Sequence, residues 1–282
     1  MNVIISMYIF MVGLAFGSFT LAMVDRMKSG KDWVKGRSEC DSCKHKLSVI
    51  DLIPVVSWIL QKGKCRYCGV RLSNFYPAAE LMMGVAFVIS WLSFPYDLIG
   101  GSYALLVLWL LALVIMGGLM IFDLRWFLLP NKLVYPLIAV ASTHRIALFF
   151  IADESLPRAL TYTALSVVVS SGLFWAMHRI SNGKWIGDGD YRFGIAAGIF
   201  LANPFVSWLS LFIASILGLM YALPVYVSSK PVKTTKTSKS KKAKKASTLK
   251  IPFGPFLIVG LCISYLYGRS IIDWYSSTFL YL

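Results

Sequence analysis

Residues 101–123 read GSYALLVLWLLALVIMGGLMIFD, an apolar run without a charge until it ends on Asp123. About twenty such residues wound as a helix cross the ~30 Å hydrocarbon core of a bilayer, so the run reads as a transmembrane helix. Blocks of similar character lie at 2–24, 76–94, 132–151, 157–178, 192–203, 205–227 and 251–272. The fold class that follows is an all-α polytopic membrane protein of about eight transmembrane helices. Block 192–203 is the short one, and Asn203-Pro204 makes a tight turn from it into the next.

Hydrophobic residues make up 57% of the 282-residue chain and charged residues only 15%, which excludes a water-soluble globular domain of this length. The net charge of +15 would suggest nucleic acid on a soluble protein. Here the cations gather in alternate loops, so no nucleic-acid partner is expected, and membrane lipids are. Lys and Arg concentrate in 25–75, after block 101–122, before Asp190 and in 228–250, whereas Asp97, Asp153 and Glu154 mark the intervening loops. By the positive-inside rule the basic loops are cytoplasmic, both termini lie outside the cytoplasm, and Asp123 and Asp190 meet the same cytoplasmic face. Residues 1–24 lack the charged n-region of a cleavable leader. The Lys/Thr/Ser run at 230–249 has almost nothing to bury and reads as a disordered linker along anionic headgroups. No internal repeat is visible.

Four cysteines share the 25–75 loop as Cys40-x-x-Cys43 and Cys65-x-x-Cys68, with 21 residues between the pairs. Paired thiolates at such spacing close a tetrahedral Zn²⁺ site with no vacant position, a structural rather than catalytic metal. Redox pairs or plain reduced thiols are the other readings, and a reducing cytoplasm argues against disulfides. His45 is a solvated neighbour in this reading, and Cys262 a small buried hydrophobe in the last block. His144-Arg145 lies toward the outer end of block 132–151, where an Arg snorkels to the interface, and is read as structural, as is His178.

Charge is costly where a hydrophobic segment ends, so Asp123 and the two aspartates of Trp185-Ile186-Gly187-Asp188-Gly189-Asp190-Tyr191-Arg192, Asp188 and Asp190, are the candidate catalytic residues. Two carboxylates at one face suit acid/base chemistry. A proton or cation transporter would also use them, but leaves the four-cysteine loop without a purpose; a noncatalytic assembly scaffold uses neither.

Several segments together resemble the bacterial type IV prepilin peptidases. They are Gly17-Ser18-Phe19 with Arg26, the paired C-x-x-C loop enclosing Asp51-Leu52-Ile53-Pro54-Val55-Val56-Ser57-Trp58, and Lys64-Cys65-Arg66-Tyr67-Cys68 with Tyr76-Pro77-Ala78-Ala79-Glu80. Asp123 with Leu129-Pro130, Gly187-Asp188-Gly189-Asp190 and Ile251-Pro252-Phe253-Gly254-Pro255 complete the set. The chain departs from that pattern at Asp41, where proline is common, at Asn131, where aspartate is, and at Arg192, where lysine is. The resemblance implies an inner-membrane aspartyl peptidase with Asp123 and Asp190 as its catalytic pair and Asp188 at a variable position. Its partners would be type IV prepilin or pseudopilin substrates, cut at the cytoplasmic face after a glycine. The new amino terminus would then be methylated from S-adenosylmethionine, for which no glycine-rich nucleotide fingerprint is visible. The implied organisation is a first helix at 1–24, a cytoplasmic four-cysteine, methyltransferase-associated loop at 25–75 and a peptidase domain at 76–282 carrying the linker 228–250. Helix dipoles, favouring a carboxylate at a helix N-terminus and disfavouring it at a C-terminus, make Asp190 the ionised base and Asp123 its protonated partner.

Overall fold

The computed structural model describes residues 2–30, 32, 36–228 and 252–280; the expected lysine-rich linker lies outside them from residue 229 on. Each apolar block forms a helix. Those long and apolar enough to cross a membrane are seven among the described residues: α1 (Asn2–Lys28), α3 (Phe75–Leu92), α4 (Ser102–Trp126), α5 (Asn131–Ile151), α6 (Leu156–Ser181), α8 (Pro204–Ser228) and α9 (Gly254–Tyr275). A single turn, α2 (Val56–Leu60), lies between the cysteine pairs, and α7 (Asp188–Leu201) occupies the short block. At 1.5 Å per residue the 14 residues of α7 reach only ~21 Å, short of the ~30 Å hydrocarbon core, so in the eight-crossing topology α7 is a shortened passage between α6 and α8. No strand forms among the described residues, only two isolated bridges, Glu39 with Lys46 and Lys64 with Arg71.

Helix α4 is the axis of the bundle. It is the most enclosed of the spanning helices and packs on α1, α3, α5 and α9. Its Trp109 is fully buried, stacks on Tyr265 of α9 at 3.9 Å and donates its indole N–H to Ser90 of α3 at 2.9 Å. Such a bond satisfies a polar atom that lipid could not. Elsewhere helices meet through small residues, since in lipid the gain comes from close backbone approach rather than from hydrophobic burial. Gly194 and Gly198 of α7 lie directly on α6: a Cβ on Gly198 would stand 2.5 Å from the Val167 Cα. Gly13 and Gly17 seat α1 on α3 in the same manner.

The polar pair in α5 differs from the expected snorkelling. His144 is fully buried and hydrogen-bonded to the Tyr265 hydroxyl at 2.7 Å. Arg145 is 8% exposed and held by Glu154 at 2.6 Å and Thr163 at 2.9 Å. Glu154 follows the end of α5 closely enough to fold back over the guanidinium, so the charge is neutralised inside the protein instead of reaching water.

Candidate active site

Asp123 occupies the last turn of α4. Phe127 then turns left-handed (φ 54°), its N–H closing the helix on the Asp123 carbonyl at 2.9 Å. That break carries Leu128-Leu129-Pro130 across the end of the bundle into α5. Asp190 is the third residue of α7, and its carboxylate accepts the Gly187 N–H at 3.2 Å, capping its own helix. The two elements are joined by Leu129. A Cβ on Gly189 would run into the Leu129 Cβ and backbone, and a Cβ on Gly254 would stand 3.2 Å from its side chain. Leu129 is thus wedged between the starts of α7 and α9, and the two carboxyl groups lie near enough to act on one another electrostatically.

Gly254 opens α9 and donates its N–H to the Asp123 carboxylate at 2.8 Å across 131 residues of sequence. A side chain there is excluded, because its Cβ would stand 2.7 Å from Asp123 Oδ2. The Ile251 to Pro255 segment carried no sign of this donor. Its presence changes the expected electrical asymmetry, since Asp123, at its own helix's C-terminus, also receives the N-terminus of α9. Gly189 of the Gly187 to Asp190 motif likewise has a structural task, close packing of α7 on Leu129, beyond the substrate clearance expected of it. Asp188 stands apart from the pair and forms an ion pair with Arg192 at 2.6 Å. His178 is structural: its Nδ1 bonds the Ile186 carbonyl at 3.0 Å and its ring lies against Tyr191.

The four cysteines converge. Their sulfurs all lie within 4.8 Å of one another, and those of Cys40 and Cys68 are 3.9 Å apart, far beyond a disulfide bond. A tetrahedral Zn²⁺ with Zn–S near 2.3 Å requires sulfurs about 3.8 Å apart. Both pairs adopt one turn: Cys40 N–H to the His45 carbonyl and Lys44 N–H to the Cys40 carbonyl repeat as Cys65 to Val70 and Gly69 to Cys65, with Lys44 and Gly69 at positive φ. The backbone N–H of Cys43 has the largest influence on the Cys40 thiol, which is pulled down to about 7. His45 stays out of the cluster and stacks on Tyr67 at 3.7 Å, fastening one turn to the other. Asp51 braces the second turn, accepting from Ser48 N–H and hydroxyl, Gln61 and Tyr67 at 2.7 to 3.0 Å. Burial opposes ionisation of Asp51, but these donors and Arg66 outweigh it and hold its carboxyl below the usual carboxylate range. Cys262 is in α9, away from the cluster.

Sequence reasoning missed one further junction. Arg125, two residues beyond Asp123, pairs with Asp25 of α1 at 2.6 Å, and its guanidinium lies over the Phe75 ring of α3 at 4.6 Å. The four-cysteine segment is tied to the same place by the Val55 N–H on Glu80 at 2.7 Å.

Comparison with known proteins divides the chain along the same junction. The model of the bacterial peptidase A24 N-terminal domain matches residues 11–94, and that of the type IV leader peptidase family matches 104–223. A prepilin leader peptidase/N-methyltransferase of Bacillus subtilis is 26% identical over 95% of this chain and 96% of its own length. One of Aeromonas salmonicida is 30% identical over 86% of this chain and 76% of its own. A type 4 prepilin-like proteins leader peptide-processing enzyme of Escherichia coli is 30% identical over 79% and 73%. No solved structure matches the chain. The first model covers the four-cysteine half and the second covers the helices bearing both aspartates, and with a relative 30% identical over most of both chains the chain belongs to the type IV leader peptidase family.

Proposed function

We propose that this multi-pass membrane protein cleaves the leaders of type IV prepilins or pseudopilins at the cytoplasmic membrane face and methylates the new amino terminus from S-adenosylmethionine. The observation that carries the peptidase half is the pair of carboxyl groups brought from α4 and α7 to either side of Leu129, each with a backbone N–H bound to it. Two carboxyl groups close enough to act on one another, Asp123 buried and Asp190 half-buried, do not both ionise cheaply, so the pair shares one proton. The ionised member takes a proton from a water molecule as that water attacks the scissile carbonyl. The protonated member hydrogen-bonds the carbonyl oxygen and later returns a proton to the leaving amine. Because donors from two helix N-termini serve the two carboxylates, the proton belongs to the pair rather than to Asp123 alone.

In the methylation half the amine nitrogen's lone pair takes the methyl group, the C–S electron pair returns to sulfur, and the amine gives its proton to water. The N-terminal segment, α1 to α3, is the half we assign to it. Cys40, Cys43, Cys65 and Cys68 would hold one Zn²⁺, whose chemistry is structural: four thiolates leave no position for a substrate. The clustering of Lys and Arg in alternate loops supports cytoplasmic placement of this segment and of the linker 228–250, with both termini periplasmic.

The test is purified protein in detergent with a prepilin and labelled S-adenosylmethionine, cleavage and methyl incorporation being scored separately. Asp123→Asn and Asp190→Asn should each abolish cleavage and leave methylation of a precleaved substrate intact. Wild-type cleavage by either variant overturns the assignment.

A further inference from the structure

Between α1, α3 and the four-cysteine segment lies a cavity of about 500 Å³, inside the ~300–1,000 Å³ range of small-molecule sites. Acidic side chains line it in excess over the cations Arg26, Arg37 and Lys46, and three of them, Asp25, Asp51 and Glu80, are not equivalent. Asp25 is engaged by Arg125, and Asp51 is saturated by neutral donors and Arg66. Glu80 is 7% exposed, accepts the Val55 N–H and the Ser18 hydroxyl, and has no cation within ion-pair distance among the described residues. A buried carboxylate without a cation is costly unless one arrives with a ligand. The backbone is strained to build it: Val55, β-branched, holds φ 62° and ψ −49°, and the conformation delivers its N–H to Glu80. On the same cavity wall Trp58 carries a buried indole N–H that has no acceptor among the described residues.

A matching ligand brings one positive charge to Glu80, an acceptor for Trp58, and enough apolar bulk to fill the space beside Leu21 and Leu52. We propose that the cavity is the binding site of the methyl donor, with the sulfonium of S-adenosylmethionine facing Glu80 and an acceptor atom of its nucleoside or carboxylate on Trp58. This rests on the reading of S-adenosylmethionine as donor given above. The location suits a sequential enzyme. Asp25 lines the cavity and is held by Arg125, two residues from Asp123, so one ion pair links the cavity wall to the helix end that carries Asp123.

Charge is the discriminating readout. Full-length protein in detergent would be titrated with S-adenosylmethionine and with S-adenosylhomocysteine, the neutral thioether that lacks the sulfonium. Glu80→Gln should weaken the first by about tenfold, the scale of a lost charge-assisted contact, and the second by less than about threefold. Trp58→Phe should weaken both. Unchanged affinity for S-adenosylmethionine in Glu80→Gln overturns the site. If Glu80→Gln loses both ligands, Glu80→Asp decides: recovered preference for the charged ligand supports the assignment, and no recovery overturns it. Photo-cross-linking of labelled S-adenosylmethionine to the wild-type protein gives a check free of substitutions, with label expected within residues 18–80; label confined to α4 through α9 also overturns the site. No binding by the wild-type protein at all is a separate result, which removes S-adenosylmethionine as donor.

Discussion

Gly254 acts by what it lacks. Its N–H reaches Asp123 at 2.8 Å and a methyl group at its Cα would stand 2.7 Å from the carboxylate it serves. Gly254→Ala should therefore push Asp123 aside while leaving the rest of α9 in place. A displacement of that order costs about 100-fold in rate, so leader cleavage should fall by about two orders of magnitude. Asp188→Asn, which loses only the exposed pair with Arg192, should keep cleavage near wild type. Equal activity of Gly254→Ala and wild type in a prepilin assay would dispose of the donor role. The cysteines allow a prediction in pH. Cys40, pulled down to about 7 chiefly by the Cys43 N–H, is a thiolate above that value and binds a proton below it. Metal binding must expel that proton, so Zn²⁺ affinity should gain an added one-proton loss as pH falls below about 7. Competition with a chromophoric chelator between pH 8 and 6 measures it; a slope unchanged across 7 would contradict the assignment. At this scale the sequence was legible where chemistry depends on residue type and short spacing, as with Cys40-x-x-Cys43. It was silent where a contact spans 131 residues, as between Asp123 and Gly254.

Helix α7 shows why element boundaries were readable and element roles less so. The apolar block at 192–203 announced a helix, and its length announced a short one. Nothing local revealed that Gly194 and Gly198 would lay it on the backbone of α6, or that Ser207 at the start of α8 would bond Ser166 of α6 at 2.5 Å. Those contacts set the depth of α7 and so place Gly189, next to Asp190, against Leu129. Gly198→Val puts a branched side chain where a Cβ already meets the Val167 Cα at 2.5 Å. Overpacking of this kind costs about 1–3 kcal/mol, and α7, held on its other side by α5, cannot simply move away from α6. Reduced thermal stability in detergent together with slower cleavage is expected. Unaltered melting would mean that α6 and α7 separate without penalty, and the packing account of Asp190 would fail. The same limit applied to charge: α4 and α7 were visible as opposite helix ends, whereas the third terminus, that of α9, entered only through the fold.

Across the whole molecule the basic loops, the blocks of about twenty apolar residues and the paired cysteines made the membrane class and the four-cysteine cluster legible, because each is a property of composition and order along the chain. The join between the four-cysteine half and the peptidase helices was not, since it is made by the packing of α1 and α3 on α4 and by long-range contacts, Arg125 to Asp25 and Arg125 over Phe75. Its position makes the final prediction. The carboxylate pair is built from α4, α7, α9 and the Leu129 turn, none of which takes a residue from the four-cysteine segment. The proposed donor cavity, by contrast, has Cys40 and Cys65 in its own wall. Removing the metal by chelation, or replacing Cys40 and Cys65 with serine, should unfasten the two turns and open that wall. Methyl incorporation should then fall by at least about tenfold, in line with the usual coupling of metal to local folding. Cleavage of the same prepilin should fall far less, because α4 keeps its seat in the bundle through the Trp109 contacts with α3 and α9. The measurement is both activities on one preparation, with bound zinc quantified beside them. Parallel loss of cleavage and methylation, in protein that still elutes as a single detergent complex, would show that the cysteine segment supports the peptidase pair directly and that the chain does not divide where its contacts suggest.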